Sequence, residues 1–184
     1  MSKKVKSRIE YILFIALLKF LKLFPYKMIL YIVRKLAVFV GMVIGIRKEV
    51  ARKQLKRVFP NKSDKEIKAL LKDMYYQFGW NACETFFAEP KDLFKKIEFV
   101  GKENMEAALA MNKGVIVATA HLGNFELGGR FLASMYPLTD VGKTQRNGMF
   151  DEFANKLRRE ANIEMIDMKF AAKTIFQRLK QNYL

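Results

Sequence analysis

Residues 113–129, Lys-Gly-Val-Ile-Val-Ala-Thr-Ala-His-Leu-Gly-Asn-Phe-Glu-Leu-Gly-Gly, constrain the fold more than any other stretch of the chain. The apolar run 115–120 follows Gly114 and is short and rich in β-branched residues. Length and composition suit a buried strand better than a helix. The run ends on His121, the only histidine. Gly123 then breaks the pattern and Asn124 is a good helix N-cap. Phe125, Leu127, Phe131 and Leu132 lie on and around one face of the helix that follows. A strand, a sharp turn and a helix need a sheet to join, so the expected fold class is α/β. In open α/β sheets the crevice at the carboxyl ends of the strands is where ligands bind.

His121 and Glu126 are the candidate catalytic pair. An imidazole titrates near neutrality and can take a proton from a hydroxyl. A carboxylate five residues on, reached across a tight turn, can fix its tautomer and stabilise the imidazolium. Gly123 lets the backbone approach a substrate closely. N–H groups at the helix start can hold a developing oxyanion. The alternative is a strand-end histidine satisfied by a neighbouring carboxylate, with no catalytic role.

His121-Leu-Gly-Asn-Phe-Glu126 resembles the His-x4-Asp/Glu motif of glycerolipid-type acyltransferases. Its form is close to the His-Phe-Gly-Asn-Trp-Glu version of the bacterial lipid A biosynthesis lauroyl/myristoyl acyltransferase family. The flanks agree: Phe99-Val-Gly-Lys-Glu-Asn104, then Gly114-Val-Ile-Val. Upstream, Arg57-Val-Phe-Pro60, Gly79 and Glu84 match the family's lead-in in part. Downstream, Arg146-Asn147 and Arg158-Arg159 resemble an Arg-x-x-x-Asn segment loosely. The resemblance covers roughly residues 50–167.

The resemblance implies transfer of a fatty acyl group from an acyl thioester to a hydroxyl of a glycolipid such as a lipid A precursor. The implied donor is acyl-acyl carrier protein, with acyl-CoA as the other thioester. His121 is then the general base and Glu126 its orienting partner. N–H groups near Gly123 and Asn124, with Arg146, hold the oxyanion. The chemistry needs no metal and no redox cofactor. The family implies a place at the cytoplasmic face of the inner membrane. Members of the family continue past the position of Leu184, so the chain reads as C-terminally truncated. A catalytically inactive, membrane-surface binding protein of the same fold is therefore the competing reading.

Charge divides the chain. Residues 1–62 hold 16 Lys/Arg against Glu10 and Glu49 alone, whereas the remainder holds 18 Lys/Arg against 16 Asp/Glu. The basic third is also the most apolar. The run 11–24 is rich in Leu, Ile and Phe, carries Lys19 and Lys22, and is broken by Pro25. A second helical run, 28–46, carries Arg34 and Lys35 and then no charge from Leu36 to Ile46. Neither reaches the roughly 18–20 uncharged residues of a clean transmembrane helix. Both resemble interfacial helices with basic residues at the rim. A single span over 9–24 and two core helices of a soluble bundle are the other arrangements. No small-x-small cleavage site follows the first run, which argues against a secretory signal peptide. The expected division is a membrane-associated segment, 1–46, and a partial acyltransferase part, 47–184, with membrane surface, acyl donor and lipid acceptor as partners.

Residues 47–58 read as a basic helix with Lys48, Arg52 and Lys56 four apart. No nucleic-acid-binding motif accompanies the charge, so nucleic acid is not an expected partner. Ser63 and Glu66 fit a capping box opening a helix to about Phe78, which Gly79 and Trp80 are expected to interrupt. A further helical stretch, 81–88, follows. Cys83 is the only cysteine. Its Phe- and Ala-rich surroundings suit a buried, inert thiol; a nucleophilic pair with His121 is the alternative. One histidine and one cysteine leave no His/Cys zinc set. After the central stretch, 139–141 and 163–166 read as strands and 150–162 and 170–179 as helices. That alternation predicts a largely parallel sheet with helical cover.

Overall fold

The structure, a computed structural model, describes residues 3–184. The chain packs as two compact units. One contains Leu17–Glu89; the other joins the residues up to Ala16 with Pro90–Leu184. This partition by packing differs from the expected one at residue 46, which concerns surroundings rather than contacts.

In the Leu17–Glu89 unit the main pairing is between α2 (Tyr26–Phe39) and α4 (Asp64–Phe87). Pro25 sits immediately before α2, where its fixed φ costs nothing. Residues Val40–Ile44 continue α2 as one π-helical turn. Helix α3 (Lys48–Val58) follows, basic as expected. Ser63 caps α4 through the complete capping box with Glu66: the Ser63 backbone N–H donates to Oε2 at 2.8 Å and the Glu66 N–H to Ser63 Oγ at 3.3 Å. The expected break at Gly79 does not occur. Helix α4 runs through it to Phe87 because Gly79 faces α2; a Cβ there would lie 2.7 Å from Arg34 Cα. Close helix approach, not helix termination, is the use of that glycine. Around it, Leu21, Ile29 and Cys83 form the core with Phe24, Val33 and Phe87. Arg34 lies between two rings of α4, 3.4 Å from the Tyr76 centroid and 4.1 Å from that of Trp80.

In the other unit, β1 (Leu138–Gly142) and β2 (Ile163–Asp167) pair in parallel, Leu138 opposite Ile163 and Gly142 opposite Asp167. Helix α8 (Gly148–Glu160) makes the crossover. The N-terminal part of α1 (Lys3–Leu21) packs on it: Phe14 lies 5.1 Å from Phe150 and 5.7 Å from Phe153, ring centre to ring centre. Helix α9 (Ala171–Lys180) is fastened to the sheet by Arg178, whose Nε and Nη2 donate to Glu164 at 2.5 and 2.6 Å. Short helices α5 (Pro90–Phe94) and α6 (Lys102–Ala110) precede the central stretch, and α7 (Phe125–Ala133) follows it.

Two expectations are corrected. Residues 115–120 form no strand. The Val115 N–H donates to Tyr183 O at 3.0 Å, but no ladder continues from it, and Ile116 is 75% exposed. A strand is made by its neighbours as much as by its own residues. The largely parallel sheet is accordingly two strands within a mainly helical chain, among the described residues. No single helix among them is long and apolar enough to cross a membrane.

Candidate active site

The central stretch runs along a cleft of about 940 Å³ built wholly within the β1–β2 unit. Its walls are mostly apolar, with Phe99, Val117, Phe131 and Leu138 among them, and carry charges of both signs: Lys143, Arg158 and Arg178 beside Glu98 and Asp140. A long apolar pocket with few, localised polar groups is the usual form of a small-molecule site.

His121 lies on this cleft, exposed, its ring 4.3 Å from that of Phe125 and tilted by 43°. Gly123 turns the chain with φ +57°, a left-handed conformation, although a Cβ there would meet nothing within 4 Å. Backbone conformation rather than crowding therefore asks for glycine. Asn124 caps α7 as expected: its Oδ1 accepts from the Leu127 N–H at 3.1 Å. His121, Gly123, Asn124 and Glu126 thus share one turn at the start of α7, beside the positive end of its dipole.

The Glu126 carboxylate, however, does not meet the imidazole. Arg158, in the last turn of α8, grips it from Nε at 3.2 Å and from Nη2 in a two-pronged pair. The side chains of Arg158 and Glu126 are only 17% and 24% exposed. The hydrogen bond to Glu126 pushes the Arg158 guanidinium up from its usual value. Beside them Arg130 is buried, and burial pushes its guanidinium down while Glu126 opposes the shift. Arg146 is not brought to the site: it is exposed, on the loop before α8, and is not part of the cleft wall.

Arg158 is the residue that the motif left without a role. A signal for it exists. Phe150, Phe153, Ala154 and Leu157 form the apolar face of α8, and Arg158 sits four residues after Ala154 at the edge of that face. Arg159, one step round, turns outward to Glu152 at 2.5 Å. Cys83 belongs to the other unit and is fully buried; burial pushes its thiol up to about 11. An inert thiol is what that environment makes. Among the described residues no three His, Cys, Asp or Glu side chains converge as metal ligands.

The parallel β1–α8–β2 unit and the His-x4-Glu turn at an apolar cleft are consistent with an α/β acyltransferase-like fold. The chain belongs to the bacterial lipid A biosynthesis acyltransferase family, whose family model matches residues 1–184. Over 145 residues it is 24% identical to the lipid A biosynthesis palmitoleoyltransferase of Escherichia coli K12, covering 77% of this chain and 47% of that protein. The lipid A biosynthesis acyltransferase of Shigella flexneri matches to the same extent. The Escherichia coli lipid A biosynthesis lauroyltransferase is 23% identical over 126 residues, 67% of this chain and 41% of that protein. The chain thus spans about half the length of the curated relatives it matches.

Proposed function

We propose that the protein takes part in lipid A biosynthesis by transferring a fatty acyl group from an acyl thioester, acyl-acyl carrier protein, to a hydroxyl of a lipid A precursor. The observation that carries this reading is the position of His121, exposed on the wall of an apolar cleft and one turn from an Asn-capped helix start. The names of the relatives support the reaction class.

In this reaction His121 removes the proton of the acceptor hydroxyl as that oxygen attacks the thioester carbonyl carbon. N–H groups near Gly123 and Asn124 stabilise the tetrahedral oxyanion. The C–S bond then breaks, and the imidazolium returns its proton to the leaving thiolate. Glu126 is the imidazolium's counter-charge. Its carboxylate is turned to Arg158, so this role requires a rotation of the Glu126 side chain toward His121. Arg146, exposed on the loop before α8, adds positive charge toward the oxyanion when that loop closes over the cleft. The mostly apolar walls receive the acyl chain. The enzyme works at the cytoplasmic face of the inner membrane, held there by its basic, apolar N-terminal helices.

His121→Ala tests the assignment. It should lower acyl transfer by about 10²–10⁴, the usual contribution of a general base, with the far-UV dichroism unchanged. Near-normal turnover by the alanine variant would reject His121 as the base.

A further inference from the structure

Helix α7 carries two adjacent glycines, Gly128 and Gly129, in its middle. Glycine is the poorest helix former after proline, so its place inside a helix needs a reason. Elsewhere in the chain the reason is visible. At Gly79 of α4 a Cβ would meet the Arg34 backbone, and at Gly41, in the π-helical turn, it would run into the Tyr75 ring. Gly123 has a positive φ. Neither cause applies in α7. Gly128 and Gly129 are not among the positive-φ glycines. A Cβ at Gly128 would meet nothing within 4 Å, and one at Gly129 would meet only Ile163 Cδ1, at an ordinary 3.7 Å. The protein by itself has room for a side chain at both positions.

The two glycines hollow one face of the helix. Phe125, Gly128, Gly129 and Leu132 all line the cleft, and their spacing puts them on one side of α7. An inward helix face ordinarily carries apolar bulk at such positions. Here bulk stands at the two ends and is missing between them. The charged residues of α7, Glu126 and Arg130, are not part of the cleft wall. The notch starts beside the candidate base, since the Phe125 and His121 rings are 4.3 Å apart. At 1.5 Å of rise per residue it runs about 10 Å from Phe125 to Leu132. Buried Ile163, at the start of β2, lies opposite Gly129.

We propose that Gly128 and Gly129 set the length of the acyl chain that the protein transfers: the chain of the thioester donor lies along α7 in this notch, its carbonyl end at His121 and its methyl end toward Leu132. The proposal rests on the acyl-transfer reading above and adds which residues measure the chain. The Gly128 N–H is already engaged by Asn124 O, at 3.0 Å, so the notch offers a ligand hydrocarbon contact rather than hydrogen bonds. A straight chain without polar substituents suits it. Each methylene buried there strengthens binding about fourfold. A side chain at residue 128 would take the place of those methylenes and shorten the chain that fits.

The test measures transfer by the full chain from octanoyl-, lauroyl- and palmitoyl-acyl carrier protein to a lipid A precursor. The readout is kcat/KM for the longest donor that the parent turns over, divided by kcat/KM for the octanoyl donor. That ratio cancels differences in the amount of active protein. Gly128→Leu should lower it about fiftyfold, the loss of roughly three methylene contacts, and Gly128→Ala about fourfold. Gly148→Leu adds the same side chain at an uncrowded helical glycine outside the cleft and should leave the ratio unchanged. Both Gly128 variants should unfold in urea at a midpoint no lower than the parent's, because they gain helix propensity and meet no neighbour. A lower midpoint would show that the fold itself needs the glycine and would overturn the proposal. Transfer by Gly128→Leu with the parent's ratio, whether undiminished or reduced equally for every donor, would overturn the chain-length role and leave the acyl-transfer reading standing. Absence of transfer by the parent from every donor would overturn both.

Discussion

At the scale of single residues, Glu126 has two claims on it. The observed one is Arg158, which holds its carboxylate in a partly buried, two-pronged pair. Such pairs are costly to break from one side, because a charge is left behind with little solvent. Arg158→Ala should therefore destabilise the protein more than an exposed Arg→Ala does, and Arg158→Ala combined with Glu126→Gln should cost less than the two changes added. The coupling expected for contacting residues is about 0.5–3 kcal/mol, read as the difference between urea unfolding free energies around the cycle. A second carboxylate sets a pH dependence. Arg178 and Thr139 hydrogen bond Glu164 and hold its carboxyl below the usual carboxylate range. A depressed carboxyl contributes stability above its ordinary pKa and loses it as the pH falls through the folded-state value. The urea midpoint should thus fall on acidification, and Glu164→Gln should flatten that dependence between neutral pH and the acid range. The sequence made His121, Gly123, Asn124 and Glu126 legible because their signals are local: a break, a cap and a spacing. The Arg158 contact was harder to read, since it spans 32 positions and depends on how α8 crosses back to β2.

At the scale of elements, the same contrast between local and distant causes recurs. The capping box at Ser63 is a local signal, and the helix begins where it says. Ser63→Ala should cost about 0.5–2 kcal/mol of unfolding free energy in urea titrations. Gly79 reads locally as a helix breaker, yet it lies in mid-helix because α2 crosses there. Two effects oppose each other in Gly79→Ala. Helix propensity favours alanine by about 1 kcal/mol. A Cβ 2.7 Å from Arg34 Cα, a backbone atom that cannot swing aside, forces the helices apart. Overpacking costs about 1–3 kcal/mol, so the variant should be less stable than the parent by urea unfolding. A more stable variant would show that the α2–α4 spacing relaxes freely. The apolar run 115–120 is the opposite case: its residues suit a strand, but no described strand pairs with it, and pairing is not something local pattern supplies.

At the scale of the molecule, part of the basic excess near the start of the chain is placed on α3, and both an acidic carrier protein and anionic lipid suit that charge. Removing residues 1–46 would not separate these roles, because α2 is the packing partner of α4. Reversing Lys53 and Arg57 to Glu spares the Asp64 contacts and asks a cleaner question. In detergent micelles without anionic lipid, transfer from acyl-acyl carrier protein should fall more than transfer from acyl-CoA if the carrier docks on α3. The difference should shrink as salt shortens the Debye length from about 10 Å at 0.1 M to about 3 Å at 1 M. An equal loss with both donors would reject docking at this helix. One further consequence follows from Cys83, fully buried between α2 and α4 with its thiol pushed up to about 11. A disulfide reagent reaches that sulfur only when the helices part. Its rate of reaction is then a clock for their opening, and the dependence of that rate on urea separates a local breath, which exposes little new surface, from unfolding of the whole Leu17–Glu89 unit.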